Sequence, residues 1–219
     1  MKKTLGLVIP ATINYINDLE NLLENISYQS VKPDVISISI SEVEYYYPKK
    51  DYGLNLIITC HIDKKNGASN RNIGVKNLNT DLISFFDCDD FMHQDRTKFI
   101  KSVFQNYNIN ALVHDYEISE PVSFKQKKFD LENFKNQKFE NYTLHIDEIN
   151  HINTKYLFPV DIHEKFLYHN AHVTIKKEIF EKIQYDEQHI FPDSLFNRNL
   201  VLNKIPISYL ENKLSYYNL

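Results

Sequence analysis

Five short apolar runs, separated by stretches with helical periodicity, occupy the first 118 residues and leave few folds open to the chain. TLGLVIP (4–10) is apolar throughout and stops at Pro10, the pattern of a strand buried on both faces. Residues 15–28 place Ile16, Leu19, Leu22, Leu23 and Ile26 on one helical face, with Asn14 as the expected cap. VISISIS (35–41) alternates apolar residues with serine, and LNLIITC (54–60) is a third strand. NGASN (66–70) reads as a turn, with Ser69 or Asn70 capping a helix that carries Ile73, Val75 and Leu78. DLISFFD (81–87) is a fourth strand, Asp95 opens a helix with Phe99, Ile100, Val103 and Phe104 inward, and ALVHDYEI (111–118) is a fifth strand. Such alternation predicts an α/β fold: an open mixed sheet, mostly parallel, with helices on both faces. Ligands of such sheets bind beyond the carboxyl ends of the strands.

The pattern weakens from 119 to about 165, where charged and aromatic residues mix without a period. It returns as a strand running into a helix over 171–183, a helix over 192–202 and a last strand with an aromatic end. With 219 residues, no repeat and no linker composition, one domain is the simplest organisation.

Charge excludes one class of partner. The net charge is −4, and the lysines and arginines are scattered, whereas nucleic-acid binding needs them clustered. KQKK (125–128) is read as a solvated loop. No apolar stretch approaches the ~18 residues of a membrane span, and the N-terminal run ending at Pro10 is read as a strand, not a signal peptide. Two cysteines, Cys60 and Cys88, form no disulfide framework, so a reducing, cytoplasmic setting is expected, with peripheral membrane association left open.

Against this frame FFDCDDF (85–91) is anomalous. Asp87, Asp89 and Asp90 crowd three carboxylates at the end of an apolar run, where their repulsion is poorly screened. Asp87 and Asp89, two apart, share a side in extended backbone. Oxygen ligands of this kind suit Mg2+ or Mn2+, with phosphate and water completing the shell. An acidic loop capping the next helix is the alternative.

The surrounding segment, NGASNRNIGVKNLNTDLISFFDCDDFMHQDR (66–96), resembles the donor-binding half of family 2 glycosyltransferases of the GT-A fold. Gly67, Ser69, Arg71, Asn72, Gly74, Asp81, Asp87, Asp89 and Asp90 all fall on that family's pattern. LVIPATIN resembles its first strand and turn, HVTIKKEIFEKIQYDE the strand and helix before its acceptor site, and PDSLFNRNL the segment carrying its Glu-Asp. There are three departures. The second strand ends Ser41-Glu42 in place of Asp-Asp, Ala11-Thr12-Ile13 stands where Tyr is frequent, and Pro192-Asp193 keeps the Asp without the Glu.

The resemblance implies a single GT-A domain over 1–219, with a nucleotide-sugar-binding half (1–118) and an acceptor-binding half (119–219). It implies an inverting hexosyl- or pentosyltransferase that takes a nucleotide-diphosphate sugar, a UDP-sugar first among candidates. The acceptor would be a hydroxyl on a glycan, protein or lipid-linked molecule. Pro10, Ala11, Thr12, Glu42, Asn66, Ser69, Arg71, Asp87, Cys88 and Asp89 would bind the donor. Asp89, Asp87 and His172 would hold Mn2+ or Mg2+, and Asp193 would be the general base. Tyr45, Tyr46 and Tyr47 would lie where a base could stack. Each reading has a plainer rival: a surface salt bridge for Arg71, a helix N-terminal acid for Asp193, structural roles for His163, His169, His172 and His189. Carboxylate neighbours make Cys88 a poor nucleophile. A haloacid dehalogenase-type phosphotransferase would carry its Asp-x-Asp on the first strand. A catalytically silent nucleotide-sugar-binding or assembly module is the alternative function.

Overall fold

The computed structural model describes residues 2–119, 149–152, 173–189, 192–205 and 207–218. KQKK (125–128), most of the weakly patterned stretch 119–165, His163, His169 and His172 lie outside the described residues.

Strand β1 (Leu5–Thr12) is the axis of the sheet. It pairs in parallel with β2 (Val35–Ser41) on one side and β4 (Leu82–Phe85) on the other, while β3 (Leu56–His61) lies parallel outside β2. β5 (Phe91–Met92), β6 (Ala111–Ser119), β7 (Ile149–Ile152), β8 (Thr174–Lys176) and β9 (Ile207–Asn218) complete the described strands. The order is β3-β2-β1-β4-β8-β6-β9-β5, with β7 also on β9. Most registered pairs are parallel. β8 runs antiparallel between β4 and β6, and β5 and β7 pair antiparallel with β9. The open, mixed, mostly parallel sheet expected from the apolar runs is therefore the observed one. The chain crosses from β2 and β3 back over β1 to β4, so the strand order reverses at β1 and leaves a crevice at its carboxyl end.

Alternation along β1 decides what covers each face. Leu7, Ile9 and Ala11 join Ile36, Ile38 and Ile40 under α1 (Ile16–Ser27), which inserts Leu19, Leu22, Leu23 and Ile26. Leu5 and Leu82 continue that face under α3 (Arg96–Asn106), meeting Phe99, Ile100, Val103 and Phe104 as the periodicity requires. Val8, Ile83 and Phe85 face the opposite layer, formed by α2 (Gly67–Lys76), α4 (Lys177–Phe180) and α5 (Pro192–Leu202).

The serines of β2 point to α2, and they explain the alternation. A Cβ on Gly74 would stand 2.6 Å from Val8 Cγ1 and 3.6 Å from Ser37 Oγ, so the helix lies nearly on the strands. Only small residues fit beneath it, and Ser39 and Ser41 also hydrogen-bond there. Ser39 Oγ donates to Asn70 Oδ1 at 2.9 Å, and Asn70 Nδ2 donates to the Ala11 carbonyl at 3.0 Å.

Several boundaries differ from expectation. β1 does not stop at Pro10 but continues through it to Thr12, paired with β2. Asn66, not Ser69 or Asn70, caps α2, accepting from Ser69 N at 2.9 Å, so GASN is already helical. Asn14 lies within a 3-10 turn (Ile13–Tyr15), leaving Tyr15 at the cap position of α1. α4 stops at Phe180, where Lys182 N bonds Ile179 O at 3.0 Å and the tightened turn sends Ile183 and Tyr185 into the core. β4 ends at Phe85, and the two-residue β5 resumes pairing after the acidic turn.

The close α2–β1 contact generates a prediction. Gly74→Ala should lower stability by roughly 1–3 kcal/mol in urea denaturation, because the added methyl overpacks against a stiff valine. Adding Val8→Ala should make the Gly74→Ala change cheaper than in the wild-type background. Equal cost in both backgrounds would contradict the contact.

Candidate active site

At the carboxyl end of β1 a cleft of about 220 Å³ opens between the strand ends and the first turns of α2. Pro10, Ala11, Thr12, Tyr15, Gly67, Asn70, Arg71, Asp87, Cys88 and Asp89 line it. The turn after β1, the N-terminal half of α2 and the acidic turn after β4 thus meet at the crevice that strand order creates.

Arg71 is the centre of the arrangement. It is 4% exposed, yet its guanidinium carries two ion pairs. Nη2 donates to Asp87 Oδ1 at 2.5 Å, and Nη1 donates to Asp193 Oδ1 at 2.9 Å. Gly67, one turn earlier, gives it room: a Cβ there would lie 3.1 Å from Nη1. The Tyr185 ring lies 5.4 Å from the guanidinium carbon, with its own face stacked 4.2 Å from Phe196. Burial opposes the arginine's charge, but Asp87 and Asp193 outweigh it and hold its pKa above the ordinary value. Arg71 is therefore salt-bridged, as the plainer reading had it, but in the interior and not on the surface.

The acidic turn is electrostatically incomplete. Burial, then the charge of Asp87, raises the Asp89 carboxyl to about 6, with a further push from Asp18 in α1. The Cys88 thiol is raised well above its ordinary value, by burial first and then by Asp89 and Asp87, so it stays protonated and unreactive. Arg71 serves Asp87 and Asp193, and Asp89 keeps an excess of negative charge. Among the described residues no three His, Cys, Asp or Glu side chains converge as a closed metal cage. Asp87 and Asp89 offer two hard oxygen donors beside a cleft, a set that fits Mg2+ or Mn2+ when a diphosphate supplies further oxygens.

Not every residue expected at the donor site reaches it. Asn66 and Ser69 turn instead to the chain before α5. Asn66 Nδ2 donates to the Glu187 carbonyl at 2.6 Å, and Ser69 Oγ donates to Glu187 Oε2 at 2.7 Å. Asn72 joins them, donating to Glu187 Oε1 at 2.8 Å and accepting from Tyr185 N at 3.1 Å. The bonds from Asn72 and then Ser69 hold the Glu187 carboxyl below its usual range. Their effect is to fix the segment that delivers Asp193 to Arg71. Glu42 is not among the cleft-lining residues; its φ of 66° turns the chain off the end of β2.

The loop that follows is tied to α1 by Glu20, which accepts from Tyr46 Oη at 2.7 Å, Lys49 N at 2.9 Å and Tyr52 Oη at 2.5 Å. Tyr46 is thus committed to the scaffold, whereas Tyr45 and Tyr47 project outward, 69% and 80% exposed. His189 is exposed, and His172 lies outside the described residues.

Tyr15, Asn70 and Tyr185 were not anticipated as site residues. Tyr15 lines the cleft two positions after Ile13, where the resembled family often has its tyrosine. Asn70 sits in the first turn of α2 and bonds Ser39 and the Ala11 carbonyl, partners that only the close approach of the helix to the strands supplies.

The sequence matches no protein-family model and no curated protein. Solved structures do resemble it. S. aureus TarS 1-349 in complex with UDP superposes with a TM-score of 0.72 at 14% identity, covering 98% of this chain and 60% of that one. The same protein in complex with UDP-GlcNAc gives 0.70 at 15%, over 98% and 58%. The mannosyltransferase PcManGT from Pyrobaculum calidifontis, in complex with GDP-Man and Mn2+, gives 0.64 at 11%, over 100% and 57%. The chain spans between 57% and 60% of the length of these neighbours. The fold is the GT-A fold anticipated from the 66–96 segment.

The raised Asp89 carboxyl has a measurable consequence. Its folded pKa of about 6 exceeds the ordinary value near 4, so the folded state binds the proton more tightly. Stability from this group is present below pH 4 and is lost as pH rises through 6. Asp89→Asn should therefore stabilise the metal-free protein by roughly 1–3 kcal/mol at pH 7.5 in EDTA. The gain should shrink towards zero near pH 4. A variant no more stable than wild type at pH 7.5 would contradict the electrostatic reading.

Proposed function

We propose that this chain is a metal-dependent glycosyltransferase that moves a sugar from a nucleotide-diphosphate sugar to an acceptor hydroxyl. One observation carries the reading. A single buried guanidinium joins the acidic turn to Asp193, beside the cleft at the switch point of a GT-A sheet. The nucleotide would lie in the cleft against Pro10, Ala11, Thr12 and Tyr15, with its diphosphate towards Asp87 and Asp89. The neighbours' UDP, UDP-GlcNAc and GDP-Man complexes support a donor of this class. UDP-sugars are the first candidates.

Asp87 and Asp89 would hold the divalent cation, which supplies charge stabilisation to the departing diphosphate. Arg71 holds Asp87 on one side and Asp193 on the other, so the donor site and the base keep a fixed spacing. The acceptor oxygen attacks the anomeric carbon, its proton passes to the Asp193 carboxylate, and the bond from the anomeric carbon to the diphosphate oxygen breaks. The electron pair leaves with the nucleoside diphosphate. A single displacement of this kind inverts the anomeric centre. Asp193 follows Pro192 in the first turn of α5, a position that also suits its charge against the helix dipole.

The roles separate in variants. Asp193→Asn should keep Mn2+-dependent donor binding and lose transfer by about 10²–10⁴-fold. Asp89→Ala should lose the Mn2+-dependent part of donor binding itself. Turnover undiminished in Asp193→Asn would remove the base assignment. Donor binding by wild type, with no turnover across a broad acceptor panel, would favour a silent binding module.

A further inference from the structure

On the proposed reading the cleft takes the nucleotide side of the donor, and the residues that line it lie around β1, α2 and the acidic turn. With the diphosphate at Asp87 and Asp89, a sugar on the outer phosphate would project past the acidic turn, away from β1 and α2. The element on that far side is β9. Phe91 pairs with Tyr216 and Met92 with Ser215, antiparallel, immediately after the acidic turn. Continuing this register by one residue sets Tyr217 opposite Asp90. On its other edge β9 pairs with β6, placing Tyr217 beside Ile118, and the Tyr217 ring meets the Tyr116 ring edge-on at 6.1 Å and 66°.

We propose that Tyr217, braced by Tyr116, forms the donor-sugar subsite and selects the sugar of the nucleotide donor. The inference rests on the glycosyltransferase reading and names a residue that reading does not use. Tyr217 is half-buried beside the acidic turn, and a tyrosine is the kind of side chain that stacks on the apolar side of a pyranose while its phenol hydrogen-bonds a hydroxyl. Its phenol is raised to about 12, by burial first and then by Asp90, Asp87, Asp89 and Asp193. One side chain thus senses both the acidic turn and the base, between which the transferred sugar must lie. The chain has no tryptophan, so sugar stacking falls to residues of this kind.

Calorimetric titration in Mn2+ tests this with two probe pairs: UDP with UDP-GlcNAc, and GDP with GDP-Man. For the diphosphate that binds, the ratio of the sugar-nucleotide Kd to the diphosphate Kd is the readout. In Tyr217→Ala the ratio should worsen by about tenfold, and in Tyr217→Phe by about threefold. The Kd of the bare diphosphate should stay within about twofold, which also certifies that the variant is folded. An unchanged ratio with diphosphate binding intact overturns the subsite and leaves the transferase reading standing. Parallel loss of both ligands in Tyr217→Phe, whose fold is not in question, overturns it in favour of a general structural role. Absence of binding by either diphosphate to wild type overturns the transferase reading and this inference with it.

Discussion

A guanidinium with almost no contact with water, held between two carboxylates, sets the geometry of everything around it. Removing such a charge from solvent costs several kcal/mol, and only well-placed partners offset it. Asp87 and Asp193 are those partners, and they come from opposite halves of the chain. The turn after β4 and the first turn of α5 are therefore fixed to each other through a side chain of α2. Neither acid could relocate without leaving Arg71 buried and uncompensated. The arrangement is rigid at the point where a group-transfer site needs fixed distances.

Its support is spread through α2. The helix can carry Arg71 to the crevice because Gly74 lets it lie against Val8, and because β2 presents serines in place of larger residues. The same helix turns Asn66, Ser69 and Asn72 outward to grip Tyr185 and Glu187, so the segment leading to Asp193 is fastened before Arg71 meets it. Tyr185 then stacks on Phe196 within α5. A ten-residue helix with little apolar character is thereby a polar fastener between the two halves, and its sequence is explained by that task.

Much of this was legible beforehand, and the boundary is physical. The apolar runs fixed β1 to β4, and the periodicities fixed the inner faces of α1 and α3, since both depend on local spacing. The acidic turn was conspicuous because like charges at the end of a buried strand need an explanation. The pairing of Arg71 with Asp193 and the destination of Asn66 and Ser69 were not legible: they lie more than 100 positions away in sequence, and no local rule reports such pairings. β5 escaped notice because two residues carry no period, and the true start of α2 because Asn, Ser and Asn all make acceptable caps. Tyr217 was invisible as a site residue for the same reason as Asp193's partner: its neighbours arrive only through the β5–β9 register.

Asp87 and Asp89 stand together at the lip of a cleft, and Arg71 divides its single charge between Asp87 and Asp193, so the turn retains an excess of negative charge. A cation shared with a diphosphate would resolve it, and sharing makes the two ligands mutually dependent by the same factor in either order of addition. The direct measurement is Mn2+ affinity, followed by the resonance signal of the free ion, with and without saturating UDP or GDP. The account predicts weak Mn2+ binding alone, tightened at least about tenfold by one of the diphosphates, with an equal gain in diphosphate affinity when Mn2+ is added first. Mn2+ affinity indifferent to every nucleotide, or nucleotide binding unchanged by EDTA, would contradict it.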